Sequence, residues 1–151
     1  MASVRIWEKK QIRLDRLNFK QREMFKIGTV GVAAVKNRVQ AALGPSDAPA
    51  KPLTKRYAIW KTKRGKGNRR NLTFTGDLLR NFQVRTVSER QAKAGLSTRK
   101  DRLKAWANQK LEPWMVFSPK NRAAVVEATR RVLAEMAPRL VLERFLGGRQ
   151  S

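Results

Sequence analysis

Neither cysteine nor histidine occurs in this chain of 151 residues. Without cysteine no disulfide and no thiolate zinc site can hold the fold, and the absence fits a reducing compartment. With histidine also missing, both the commonest general base and the best nucleophile are lost to catalysis. Acid is scarce as well. The 11 Asp and Glu residues are spread singly, with no D-x-D or E-x-K spacing to gather carboxylates around magnesium. No apolar run approaches the roughly 20 residues that cross a bilayer. The stretch "MASVRIWEKKQIRLDRLNFK" scatters its charges and has no apolar h-region of a secretory signal, and Glu8 and Asp15 argue against an organelle presequence. These absences predict a soluble protein made in a cytoplasm, with no catalytic residues, no cofactor and no metal.

What the chain has in excess is positive charge: 35 Lys and Arg give a formal net charge of +24. Such a chain repels itself and calls for an anionic partner or an acidic neighbour. Its 41% apolar content still marks it as globular. A domain of this length buries roughly 70% of the surface that its unfolded chain exposes, enough for a core without cross-links.

The pattern predicts a single domain over 1–151 in four stretches. Residues 1–43 read as a helical region in two pieces. Ile12, Leu14, Leu17 and Phe19 are irregularly spaced, whereas Val32, Val35, Val39 and Leu43 recur at helical spacing. Gly28 and Gly31 mark a bend or a close approach of another backbone, and Gly44-Pro45 stops the helix. Residues 44–70 read as a long basic loop, carrying nine basic side chains and no acid from Lys51 to Arg70. In 71–117, Leu72 and Phe74 alternate with polar neighbours. Thr75 is placed as the N-cap of a short helix running from Gly76 to about Phe82, which would bury Leu78, Leu79 and Phe82. A hairpin turning near Ser88-Glu89 follows, then a helix with Leu103 and Trp106 facing inward, then a strand-like run from Trp114 to Phe117. Over 118–146, Ser118 caps a long helix with Pro119 at its first position and a stripe of Val125, Ala128, Val132, Met136 and Leu140; Pro138 should kink or interrupt it. The fold class is therefore α+β: a small antiparallel sheet packed by an N-terminal helical region and a long C-terminal helix, with a long basic loop.

Within that loop, Lys55, Arg56, Lys61, Lys63, Arg64, Lys66, Arg69 and Arg70 alternate with Tyr57 and Trp60. This composition suits phosphate contacts with base stacking, though the two aromatics read more simply as anchors to the core. "RGKGN" lacks the spacing of a phosphate-cradling P-loop, and Gly65 and Gly67 are expected only to keep the loop flexible. No helix-turn-helix, RNP-type strand or zinc-finger pattern supports base-specific reading.

Taken in order, "AALGPSDAP", "KPLTKRYAIWKTKRG", "RNLTFTGDLLRNF" and the hairpin with "AGLS" resemble the tail-completion or virion-morphogenesis proteins of tailed bacteriophages, which help to join tail to head. The matching positions are Pro52, Leu53, Leu72, Thr75, Gly76 and Leu78, over roughly residues 10–135. The chain departs from that pattern at Trp106-Ala107 and Asn108-Gln109, with Lys110 where a glycine is usual, and around "EPWMVF". The resemblance implies a structural virion subunit with no enzymatic role, located in the neck or upper tail. It would assemble with itself as a ring, often a hexamer, beside neighbouring phage neck and tail proteins, with no membrane partner. The basic loop would face either genomic DNA in the conduit or acidic surfaces of neighbours. A non-specific nucleic-acid-binding protein of ribosomal or nucleoid type is the alternative, and a metal-dependent nuclease an outsider.

Overall fold

The computed structural model describes residues 2–4, 12–14, 19–71 and 76–147, with side chains described over 19–71 and 76–138. The elements run β1 (Ala2–Val4), β2 (Ile12–Leu14), α1 (Gln21–Gln40), α2 (Lys55–Lys63), α3 (Asp77–Asn81), β3 (Phe82–Val87), β4 (Ala92–Leu96), α4 (Arg99–Leu111) and α5 (Pro119–Gly147). The fold is α+β, with two small antiparallel sheets, β1–β2 and β3–β4.

The N-terminal region is only partly helical. Ile12 and Leu14 lie on β2, paired with Val4 and Ala2 of β1, so their two-residue spacing was the strand period and not a broken helix. The helix proper begins at Gln21, where the Lys20 N–H donates to the Glu23 carboxylate at 2.6 Å. Its buried face carries Met24, Ile27, Val32, Val35 and Val39. α1 is continuous through both glycines, and what comes close there is side chains. A Cβ on Gly28 would stand 2.8 Å from the Ala92 Cβ, and one on Gly31 would stand 3.0 Å from the Phe117 ring. Bare backbone at these two positions lets the β3–β4 hairpin and Phe117 seat against the helix.

The helix stops earlier than Gly44. The Leu43 N–H bonds to the Arg38 carbonyl and the Ala42 N–H to the Val39 carbonyl, both at 3.0 Å, the double closure of a Schellman motif. Ala42 takes the left-handed conformation there, at φ 58°.

The hairpin matches the sequence expectation, Phe82 pairing with Leu96 and Val87 with Ala92. So do Leu78, Leu79 and Phe82, all buried in one cluster with Val32, Val35, Val39 and Trp114. The α3 N-cap position is Gly76, at φ 74°. Leu72, Phe74 and Thr75 lie outside the described residues, as do Leu17 and the side chain of Leu140.

Trp114–Phe117 is not a strand. Gln109 Oε1 accepts from the N–H groups of Trp114 and Met115 at 3.0 and 3.2 Å, and buried Arg38 donates to the Trp114 carbonyl at 2.5 Å. Side chains thus take the backbone groups that a neighbouring strand would have used.

α5 starts at Pro119 behind a reciprocal cap. The Asn121 N–H donates to Ser118 Oγ and the Ser118 N–H to Asn121 Oδ1, while the Asn121 amide reaches the Ala34 carbonyl at 3.1 Å. This buried cap pins the start of α5 to α1. Val125, Val132 and Met136 then pack with Phe19, Met24 and Ile27 in a second cluster. α5 runs through Pro138 without interruption. Ala134, whose carbonyl loses its donor to that proline, lies on the exposed side, where solvent can satisfy it.

Candidate anion-docking surface

The stretch expected as a bare loop contains α2. "KRYAIWKTK" holds neither glycine nor proline, Pro52 precedes it, and a glycine follows it at 65. The helix ends in the same motif as α1. Lys66 N–H bonds to the Lys61 carbonyl at 3.2 Å and Gly65 N–H to the Thr62 carbonyl at 2.9 Å, with Gly65 at φ 67°. Gly65 is therefore a fixed helix terminator, and the expectation that it only loosens the loop is corrected. Gly67, at φ 65° with no atom near its missing Cβ, keeps the next turn of chain open to solvent.

α2 has an unusual interior: Lys61 is its only buried residue. The Lys61 side chain, in a residue 2% exposed, donates from Nζ to the Arg69 carbonyl at 2.5 Å and to Asn71 Oδ1 at 2.8 Å. It ties the chain after the helix back onto the helix. Burial pushes its ammonium pKa below the usual lysine value. Lys61 is thus a structural residue and leaves the set of anion contacts.

Arg70 leaves it too. Its guanidinium lies 3.8 Å from the Glu112 carboxylate, with both side chains mostly covered. Glu112 also accepts from the Lys51 N–H at 3.2 and 3.3 Å. One carboxylate at the end of α4 thus holds both ends of the basic segment. Glu112, Lys61 and Asn71 are the positioning residues that sequence reasoning missed. Only the run of acid-free positions hinted that some distant acid must anchor the segment.

The other six, Lys55, Arg56, Lys63, Arg64, Lys66 and Arg69, are exposed. Tyr57 and Trp60 are 41% and 40% exposed, so they do not anchor the segment in the core. They stack on each other at 5.4 Å between centroids, and the Arg64 guanidinium lies 4.0 Å from the Trp60 ring centre. A shallow groove runs between Thr54, Arg56, Tyr57 and Trp60. The spacing 57, 60, 64 places the two rings and the cation along one helix face. Such a face offers flat apolar rings among guanidinium and ammonium groups, and the segment from Lys51 to Asn71 contains no acid of its own.

Pro52 is exposed, Leu53 and Gly76 are half-buried, and Leu78 is in the core, so these motif positions support the segment and do not form its surface. Among the described residues no group of three or more acids gathers to hold a metal ion. No helix among them is long and apolar enough to cross a membrane. No known protein family, curated protein or solved structure matches the chain.

Proposed function

We propose that this chain is a structural virion protein of a tailed bacteriophage, a head–tail joining or tail-completion subunit that forms a ring at the neck or upper tail. It docks on a polyanionic surface through α2 and the chain that follows. The observation that carries the docking is α2 itself: a helix whose one buried side chain is a lysine and whose outer face is cationic, aromatic and acid-free. A segment built this way contributes little to the core, and the molecule keeps it ordered through Lys61 and Glu112. The resemblance of its segment order to that of tail-completion proteins is what supports the virion setting, where such a face would meet DNA or acidic neighbours.

Imaging the particles that contain the chain tests this directly. A ring with a fixed small copy number about the tail axis is expected. Absence from particles, together with recovery on ribosomes or bulk nucleic acid, overturns it.

The exposed Tyr57–Trp60 stack favours a second reading, non-specific nucleic-acid binding. Under that reading the purified monomer binds DNA or RNA with a steep salt slope. Six phosphate contacts lose roughly 10³ in affinity between about 50 and 200 mM salt. Reversing Lys63, Arg64 and Arg69 flattens the slope. Salt-insensitive binding of the monomer removes this reading and leaves the ring untouched.

A further inference from the structure

α4 is built inside out. Its buried residues are Asp101 and Ala105. Leu103 and Trp106, expected from the sequence to face inward, are 60% and 59% exposed, and Leu111 is 59% exposed. With 3.6 residues per turn, Leu103, Trp106, Ala107 and Leu111 fall on one outer face. Arg99, Lys100 and Lys110 lie within the same face and are exposed. The Lys110 ammonium sits 3.7 Å from the centre of the Trp106 ring. Asp101, the helix's single acid before its end, is turned inward and held by Asn81 and Thr98. The outer face is therefore apolar and cationic, with nothing of opposite sign.

We infer that the outer face of α4, centred on Trp106, is a docking site for an acidic amphipathic helix of another protein. Charge complementarity selects this occupant. Carboxylates flanking an apolar stripe pair with Arg99, Lys100 and Lys110 while the stripe covers Leu103, Trp106 and Leu111. A second copy presenting the same face would oppose cation to cation. A nucleic-acid backbone satisfies the cations and leaves the leucines without an apolar partner. An anionic membrane would have to accept the leucines together with the cations interleaved among them, which its acyl region disfavours. The surface is separate from α2 and independent of the virion reading, so loss of this site leaves the copy number in particles unchanged as a test of that reading.

The test uses the full chain and a synthetic peptide of about 18 residues, long enough to fold as a helix on binding. It carries leucines at i, i+3, i+4 and i+7 spacing, flanked by glutamates. A control peptide keeps every glutamate and replaces the leucines with glutamine. Binding is followed by calorimetry at about 0.15 M salt, where long-range attraction to the charged protein is screened. The leucine peptide is expected to bind at least about tenfold more tightly than the control. Trp106→Ala and the pair Arg99→Glu with Lys110→Glu should each cost about tenfold or more, and Lys63→Glu on α2 should cost little. All four positions are exposed, and circular dichroism checks that the variants stay folded. Equal binding of both peptides, no binding of either, or binding unmoved by Trp106→Ala overturns the inference. So does a homodimer lost in Trp106→Ala, or Trp106-dependent binding of a DNA duplex or of vesicles containing phosphatidylglycerol.

Discussion

Ala42 and Gly65 occupy the same position of the same helix-terminating motif, at φ 58° and 67°. The hydrogen bonds are equivalent: 43 to 38 and 42 to 39 in one, 66 to 61 and 65 to 62 in the other. Only glycine takes this conformation without steric cost. Ala42→Gly should therefore raise stability by about 1 kcal/mol, and Gly65→Ala should lower it by a similar amount or loosen the end of α2. The denaturant midpoint reads the first. Amide exchange at Gly65 and Lys66 reads the second.

Gly28 reverses the usual rule for glycine in a helix. In an open helix, replacing it with alanine would stabilise by about 1 kcal/mol. Here the new Cβ stands 2.8 Å from the Ala92 Cβ and 3.2 Å from a Val84 methyl. Overpacking costs about 1–3 kcal/mol, so Gly28→Ala is expected to lower the melting temperature. A rise would mean that the hairpin yields freely.

Lys61 and Lys63 are two residues apart and should behave as opposites. Lys61→Met removes two donors from a buried site, each hydrogen bond to a charged group being worth about 1.5–3 kcal/mol. Amide exchange and proteolysis between Arg64 and Asn71 should accelerate. Lys63→Glu sits in solvent, should leave stability unchanged and should weaken binding to a polyanion. Comparing protease sensitivity and polyanion binding in the two variants separates the roles.

Asp101 gives a pH signature. The Asn81 amide, and after it the Thr98 hydroxyl, hold its carboxyl below the usual carboxylate range. The unfolded chain therefore takes up this proton first as pH falls. The contribution is complete above about pH 4, the ordinary carboxylate value, and is lost as pH drops through the folded one. Asp101→Asn should be less stable than the parent at neutral pH, with the gap closing in acid. Glu135, held low by Lys26, acts in the same direction and is common to both proteins, so the difference between their midpoints isolates Asp101.

Much of the local structure was legible because it depends on neighbours in the chain. Ser118-Pro119 starts α5 where capping chemistry requires. The alternation around Phe82–Val87 made a strand, and Leu78, Leu79 and Phe82 entered the core. α2 was overlooked because its composition looked like a charged loop, although no breaker interrupts it. The Trp114–Phe117 run misled for the opposite reason: its residue types favour strand, yet Gln109 and Arg38 captured its backbone.

The site divides in the same way. Its charge, its lack of acid and the presence of Tyr57 and Trp60 are properties of composition, and no folding could remove them. Which cations remain exposed was decided in three dimensions. Lys61 was withdrawn by Arg69 and Asn71 just beyond its helix, and Arg70 by Glu112, far along the chain at the end of α4. α4 shows the same limit. Its periodicity drew an apolar stripe, and the buried bonds of Asp101 to Asn81 and Thr98 turned that stripe outward. Short-range forces chose the elements and the sign of the surface. Long-range hydrogen bonding and packing chose which face of each element the solvent meets, because a buried polar group must find its partner wherever the fold places it.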